Sequence, residues 1–331
     1  MSAGSSLPYR LRPNKAVDRE LFLSLLTRLA PNLSLEKYRY VGLGGPFLED
    51  FRLVHARLGL SKMTCVEAEE QVHKRQQFNR PVLSIECVHK TLEDFLDGHD
   101  FDAPAIIWFD YTEPKGITTQ IERFSRSIGT VPLGSVLRIT LNANPASLGK
   151  PDPSELSVEV GGEASEDRAV KPTIQEWRLS RFKERLGALF PSGLTAEGMS
   201  FKTYGPSLLR ALKLAVEKES LSFRDRRVLW ALSTHYADGQ AMVTAAVVVC
   251  AADNAAVEHL MKGWEFYSTP DAPLRLDLPA LSTLERLTME ASDDVRAKMV
   301  FDLPKTDMGE DPIAVFKKFY RIYPHFSRIE L

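Results

Sequence analysis

As far as Asn144-Pro145 the chain alternates between two hydrophobic periods. Phe22, Leu25, Leu26 and Leu29 recur at spacings of three and four, which predicts an amphipathic helix over 17–29. Tyr38 to Leu43 reads as a strand running into glycines, and Leu48, Phe51, Val54 and Leu58 mark the buried face of the helix after it. Short strands at 62–66 and 82–88 flank a polar helix over 70–79, closed by Pro81, and a short helix follows at 92–96. Ala105 to Phe109 is a continuous apolar run ending in Asp110, the pattern of a strand buried on both faces. A helix over 117–128 and a fifth strand over 135–141 complete the series. Five strands with helices between them predict an α/β fold with a doubly wound, mostly parallel sheet.

Beyond Pro145 the character changes. Residues 151–167 hold six acidic side chains and no basic one, whereas 171–227 hold 12 basic and 6 acidic, on helices expected over 174–189 and 206–219. Two β-rich runs, Val228 to His235 and Gln240 to Val249, flank Asp238-Gly239 and predict an antiparallel hairpin. Further helices are expected over 281–291 and 313–320, in a tail whose topology the pattern does not place. The organisation expected is a helical lead-in over 1–30, a Rossmann-like domain over 31–250 with an insertion at about 146–226, and an extension over 251–331.

Composition narrows the function classes. Lys and Arg total 42 against 44 Asp and Glu, a net charge of −2, which disfavours wholesale phosphate binding. Cys65, Cys87 and Cys250 form neither a disulfide framework nor a zinc pattern, as expected in a reducing cytoplasm. The N-terminus lacks the form of a signal peptide, and the longest uncharged apolar stretch, 241–252, is too short to span a bilayer. A cytoplasmic protein with no membrane association is expected.

The candidate chemistry lies at strand ends. Gly42-Leu43-Gly44-Gly45-Pro46 follows a strand, so the chain can turn sharply and a ligand can approach its backbone, with Pro46 in the first turn of the next helix. Glu67 ends the second strand, where a carboxylate can accept both hydroxyls of a ribose. Asp110 ends the fourth, beside the crevice where open α/β sheets bind ligands. Each has a plainer account: a structural turn, the acidic first turn of a solvated helix, a cap. Their order along the sheet points instead to a nucleoside-containing ligand. A dinucleotide fingerprint would place glycine at Phe47, so Phe47 argues against a bound pyrophosphate. Of the turn glycines, Gly44 is expected to border the ligand. Gly129, by contrast, is expected at a helix end away from the crevice.

A five-stranded parallel sheet closed by such a hairpin resembles the class I S-adenosylmethionine-dependent methyltransferases. Gly42, Gly44 and Gly45 look like that family's first motif, Glu67 like its ribose-binding acid and Asp110 like its fourth motif. More narrowly, Leu11-Arg-Pro-Asn-Lys15, Tyr40-Val-Gly-Leu-Gly-Gly-Pro46, Trp108-Phe-Asp-Tyr-Thr-Glu-Pro114 and the segment around 281–287 resemble a bacterial family labelled putative O-methyltransferases. The resemblance implies S-adenosylmethionine as cofactor. Where class I enzymes often carry an acid for the adenine amino group, this chain has Thr91, with His89 and Lys90 beside it read as solvated loop residues.

Methyl transfer from a sulfonium needs chiefly an in-line approach, so a general base is not obligatory. Asp110, Tyr111 and Glu113 are the candidate catalytic residues: Tyr111 to stack on a planar acceptor, Glu113 to take a proton from a hydroxyl. The plainer account leaves Tyr111 packed and Glu113 solvated. Amino-directed nucleic-acid enzymes carry Asp/Asn-Pro-Pro-aromatic here; the Tyr111 that follows Asp110 disfavours that substrate. Asp110, Asn142 and Asn144 end neighbouring strands, but Asn142-Ala-Asn144-Pro145 reads as turn chemistry, and no metal is expected. His235 and His325 lack partners at ligand spacing. Lys15 reads as a charged helix lead-in or as a cation for a ligand carboxylate. The basic and aromatic residues of 178–227 and 317–323 offer a nucleic-acid surface, though a snorkelling helical face is preferred. The alternatives kept are a non-catalytic module that binds or senses an adenosine ligand and, more weakly, a nicotinamide-dependent oxidoreductase.

Overall fold

The computed structural model describes residues 12–152, 172–299 and 301–324. Leu11, His325 and most of the acidic stretch 151–167 lie outside the described residues. Strands β1 (Arg39–Gly42), β2 (Lys62–Glu67), β3 (Ile85–His89), β4 (Ala105–Asp110) and β5 (Val136–Asn142) are followed by β6 (Arg226–Ala237), β7 (Ala241–Ala251) and β8 (Leu274–Leu276). They form one eight-stranded sheet in the order β3-β2-β1-β4-β5-β7-β6-β8. The first five run parallel, and β7 inserts antiparallel between β5 and β6. The hairpin expected around Asp238-Gly239 is this pair, with Gly239 at φ +80°. The unplaced tail contributes β8, parallel to β6.

Alternation along the strands divides the core in two. Tyr40, Ile106, Trp108 and Val136 face one side, where α1 (Pro13–Leu33), α2 (Glu49–Leu58) and helices of the C-terminal segment, α8 (Ala255–Lys262), α9 (Thr283–Glu290), α10 (Val295–Lys298) and α11 (Pro312–Phe319), pack. Val41, Ile107, Phe109, Leu137 and Ile139 face the other, under α4 (Leu92–Asp97), α5 (Ile117–Thr130), α6 (Ile174–Leu186) and α7 (Tyr204–Ser220). Burial on both faces is why β4 reads as an unbroken apolar run. α3 (Glu70–Asn79) keeps only Gln76 buried, hence its polar appearance. Among the described residues no helix is long and apolar enough to cross a membrane.

Polar pairs key α1 to the sheet. Arg138, fully buried on β5, ion-pairs with Asp18, and its guanidinium lies 4.4 Å from the Phe22 ring centroid and 4.5 Å from that of Trp108. Asp18 also accepts from the hydroxyls of Thr234 at 2.7 Å and Thr244 at 3.0 Å. Arg19 ion-pairs with Asp50 in the first turn of α2.

One local expectation is corrected: α2 begins at Glu49, so Pro46 sits in the turn ahead of it. Gly129 lies in the last turn of α5, outside the positive-φ region, and a Cβ there would meet Phe223 Cζ at 2.4 Å. A Cβ on Gly44 would meet Phe51 Cε2 at 2.7 Å, with Cys65 Sγ and Leu48 Cδ2 each at 3.0 Å.

Candidate active site at the carboxyl edge of the sheet

Strand order reverses between β1 and β4, and open α/β sheets bind ligands outside the carboxyl ends at such a point. The turn after β1 lies there. Gly44 (φ +66°) and Gly45 (φ +53°) bend the chain through left-handed conformations, and Leu48 (φ +52°) admits it to α2. The turn is held from outside by α3: Gln76 Nε2 donates to the carbonyls of Leu43 at 3.0 Å and Gly45 at 3.1 Å, and Asn79 Nδ2 to that of Pro46 at 2.8 Å. Phe47 packs its ring beneath the Arg75 guanidinium, 4.8 Å from the centroid.

The other predicted residues follow along the same edge. Glu67 ends β2, half-buried, with Oε1 accepting the Glu69 N–H at 2.9 Å. Burial raises its pKa above the ordinary glutamate value, against the opposing pull of backbone N–H groups from Glu69 and Ala68. Thr91 follows β3 and caps α4, its hydroxyl accepting the Asp94 N–H at 3.0 Å. His89 is exposed, stacks on His73 at 5.3 Å between centroids and stands 3.0 Å from the Ala68 carbonyl.

Asp110 ends β4, with its side chain 14% exposed and 3.9 Å from Lys15 Nζ. Burial alone would raise its pKa, but the charges of Lys15 and Arg19 outweigh that and hold it below the usual aspartate value. Burial lowers the Lys15 pKa, with Asp110 opposing. Tyr111 packs against the second core cluster and donates its hydroxyl to Glu93 Oε1 at 2.8 Å; burial, then that bond, raises its pKa. Glu113 is exposed, its Oε1 accepting the Lys115 N–H at 3.2 Å.

Asn142 and Asn144 are occupied as turn residues. Asn142 donates to the Thr112 carbonyl and accepts from the Asn144 N–H, while Asn144 accepts from the Ala146 N–H. Among the described residues no group of three or more His, Cys, Asp or Glu could hold a metal. His235 is buried with neither ring nitrogen hydrogen-bonded among the described residues, and burial lowers its pKa to about 4. Many of the basic residues beyond 177 bind within the fold. Arg185 donates to the Ser147 and Leu148 carbonyls, Arg226 to those of Ile128, Gly129 and Val131, and Arg321 pairs with Glu265.

Sequence reasoning missed Gln76, Asn79, Glu93 and Asp238. Gln76 and Asn79 stand three apart on a helix with no other strong apolar stripe, a signal that this helix buries amides against something polar.

In comparison with known proteins, no curated protein matches the chain. Among solved structures it is similar to Trm1 from Pyrococcus horikoshii in complex with S-adenosyl-L-methionine, at 9% identity and a TM-score of 0.48, over 75% of this chain and 57% of that one. The chain thus spans little more than half of that protein's length. It is also similar to the plantazolicin methyltransferase BamL (13% identity, TM-score 0.37, 72% of this chain and 87% of that) and to an rRNA methylase from Streptococcus thermophilus (11%, 0.33, 70% and 96%). The model of the family described as "Putative O-methyltransferase" matches residues 7–331. With its strand order and its antiparallel β7, the chain has the class I methyltransferase fold and belongs to that O-methyltransferase family.

Proposed function

We propose that this protein is an S-adenosylmethionine-dependent methyltransferase, directed to an oxygen acceptor, with the nucleoside lying along the carboxyl edge of β4, β1, β2 and β3. The observation that carries the reading is the placement of four chemistries on adjacent strand ends: Asp110, the glycine turn 42–45, Glu67 and Thr91. Glu67 suits ribose hydroxyls, Thr91 or its neighbouring backbone suits the adenine edge, and Gly42, Gly44 and Gly45 leave the turn without side chains. Asp110, with Oδ1 buried and accepting no hydrogen bond among the described residues, fits a cationic group. The cofactor supplies an activated methyl on a sulfonium. The chain's part is to orient the acceptor in line with it, and Glu113, exposed three residues after Asp110, is the carboxylate we assign to take a hydroxyl proton.

Tyr111 and Glu113 are each engaged by protein partners, which favours either a reaction driven by proximity or, as a second reading, an adenosine-binding module without turnover. Support for a cytoplasmic setting comes from the three free cysteines. The internal engagement of Arg185, Arg226 and Arg321 favours a small acceptor over nucleic acid. The test is a calorimetric titration with S-adenosylmethionine, S-adenosylhomocysteine, NAD and ATP. Binding of the first two supports the reading, and binding of NAD alone overturns it. Release of S-adenosylhomocysteine on addition of hydroxyl-bearing acceptors separates enzyme from module.

A further inference from the structure

The three cysteines are free thiols, and the fold brings two of them together. In-register parallel pairing sets Cys65 of β2 directly opposite Cys87 of β3. Opposed residues of parallel neighbours point to one face, and both thiols pack in the core on the α1 and α2 side. Neighbouring strands lie about 4.8 Å apart, inside the Cα separation of about 4.4–6.8 Å that a disulfide spans. The bridge also needs Cβ atoms about 3.8 Å apart, so the two strands must close up slightly. β3 can supply that movement, because it is the edge strand and pairs with β2 alone among the described residues. A bridge closed against such resistance is of the labile, reducible kind and not of the structural kind.

The two thiols are unequal. Cys65 is buried and Cys87 half-buried, so a small oxidant in solution meets Cys87 first. Burial pushes both thiols up; the neighbouring Cys87 adds to the rise at Cys65, whereas Arg80 opposes it at Cys87. Arg80 is held nearby by donating to the Ile85 carbonyl at 3.2 Å. Thiolate therefore forms more readily at Cys87.

Cys65 also supports the glycine turn. Its Sγ donates to the Leu43 carbonyl at 3.2 Å, alongside the bond from Gln76, and closes the space at Gly44, where an added Cβ would stand 3.0 Å from it. β1, which leads into that turn, and β3 flank β2 on opposite sides. The sulfur cannot serve both neighbours. Drawn to Cys87, it has no proton to donate and leaves the Leu43 carbonyl to Gln76 alone.

We propose that Cys65 and Cys87 form a reversible disulfide, a modification site whose oxidation slackens the glycine turn and weakens nucleoside binding. The oxidant is a low-molecular-weight disulfide. The Cys87 thiolate attacks one of its sulfurs and expels one thiol; the Cys65 thiolate then attacks the Cys87 sulfur of the mixed disulfide and expels the second. One S–S bond forms in the chain as one breaks in the oxidant. Two electrons pass to the small disulfide, and the two protons given up by Cys65 and Cys87 end on its two thiols. The effect on binding, though not the bridge itself, rests on the reading of the crevice as an S-adenosylmethionine site.

The experiment treats the full chain with excess glutathione disulfide, blocks the remaining thiols in acid and maps the peptides by mass spectrometry. Wild-type protein is expected to yield a Cys65–Cys87 linked peptide with Cys250 still free, and dithiothreitol should restore all three thiols. The circular dichroism of the oxidised chain should match that of the reduced one, while calorimetry shows its affinity for S-adenosylhomocysteine lowered at least threefold and recovered on reduction. Cys87→Ser should bind within twofold of reduced wild type and ignore the oxidant; the reversal on wild type gives the same contrast without a variant. Three thiols still free, or a glutathione adduct on Cys87 that does not resolve to the bridge, overturns the proposal. So does an unfolded oxidised chain, or an affinity that oxidation leaves within twofold. Reduced wild-type protein that binds no S-adenosylhomocysteine overturns the methyltransferase reading and the coupling with it, while the peptide map still decides the bridge.

Discussion

Asp18→Asn keeps the shape of the side chain and removes its charge, leaving the Arg138 guanidinium buried without a counter-ion. Arg138 is fully buried, and its two nearest rings, Phe22 and Trp108, stabilise a cation without neutralising it. Removing one partner of such a pair costs about 3–5 kcal/mol. Arg138→Met should fall toward the upper end, because a desolvated cation–π contact of about 2 kcal/mol goes with the charge. The double variant Asp18→Leu/Arg138→Met removes both charges, and the hydroxyls of Thr234 and Thr244 remain 2.7 Å apart and satisfy each other. It should therefore lie within about 2 kcal/mol of wild type, since apolar replacement of a buried pair is often near neutral. Urea unfolding of the wild type, Asp18→Leu, Arg138→Met and the double variant closes the cycle, with Asp18→Asn as the isosteric control. A coupling of about 3 kcal/mol or more is expected, and additive single effects would refute the argument.

Other consequences concern the site and its supports. Gly44→Ala should cost about 1–2 kcal/mol for its left-handed backbone and about 1–3 more for the clash with Phe51, whereas Gly59→Ala, at φ +67° with nothing within 4 Å of the added carbon, should cost only the first; equal unfolding free energies would contradict the packing argument. Glu67→Ala should weaken S-adenosylhomocysteine binding ten- to a hundredfold, from loss of about 1.5–3 kcal/mol, with an unchanged melting temperature. Gln76→Leu strands the carbonyls it holds and should lower the same affinity by roughly fivefold, about 1 kcal/mol, without touching ligand. His235 has a folded pKa of about 4 against 6.5, so the unfolded chain binds its proton first and stability falls as pH drops below 6.5. At pH 5 the loss is about 2 kcal/mol, and urea midpoints of His235→Gln should lack that component of the pH slope.

What the sequence made legible is what short-range periodicity encodes. A continuous apolar run placed β4, and the spacing of Ile117, Ile121, Phe124 and Ile128 placed α5, because each pattern is complete within one element. The candidate site was legible for the same reason: glycines, Glu67 and Asp110 announce themselves at the ends of those patterns. The direction of a side chain was not. Gly44 was expected to border a ligand, and what its pattern did not reveal is that its missing Cβ also makes room for Phe51 of α2. Long-range polar pairing was equally hidden. Arg138 is conspicuous within a buried strand, but its partner lies 120 positions away on a helix that read as an ordinary apolar one.

That helix carries the step from fold to site. Lys15, Asp18 and Arg19 are spaced by three and one, so they share a face of α1, and each meets an opposite charge on a different element: Asp110 on β4, Arg138 on β5 and Asp50 on α2. The three pairs cancel in charge, so α1 can sit against the sheet only in the register that satisfies all of them at once. A slide by one residue would rotate the face by about 100° and leave six buried ions unmatched, a far larger penalty than a displaced leucine. The hydrophobic pattern of α1 fixes that it packs, and the charges fix where. It follows that the Asp18→Leu/Arg138→Met variant, predicted to be nearly as stable as wild type, has lost one of the three register constraints beneath the ligand edge. Asp238 of the β6–β7 turn still accepts the N–H groups of Asn14 and Lys15 and holds the first turn of α1, so the variant's affinity for S-adenosylhomocysteine should stay within about threefold of wild type, below 1 kcal/mol. A larger loss at preserved stability would show that the first turn of α1 is positioned by the buried pair at Asp18 and not by its hydrogen bonds to Asp238.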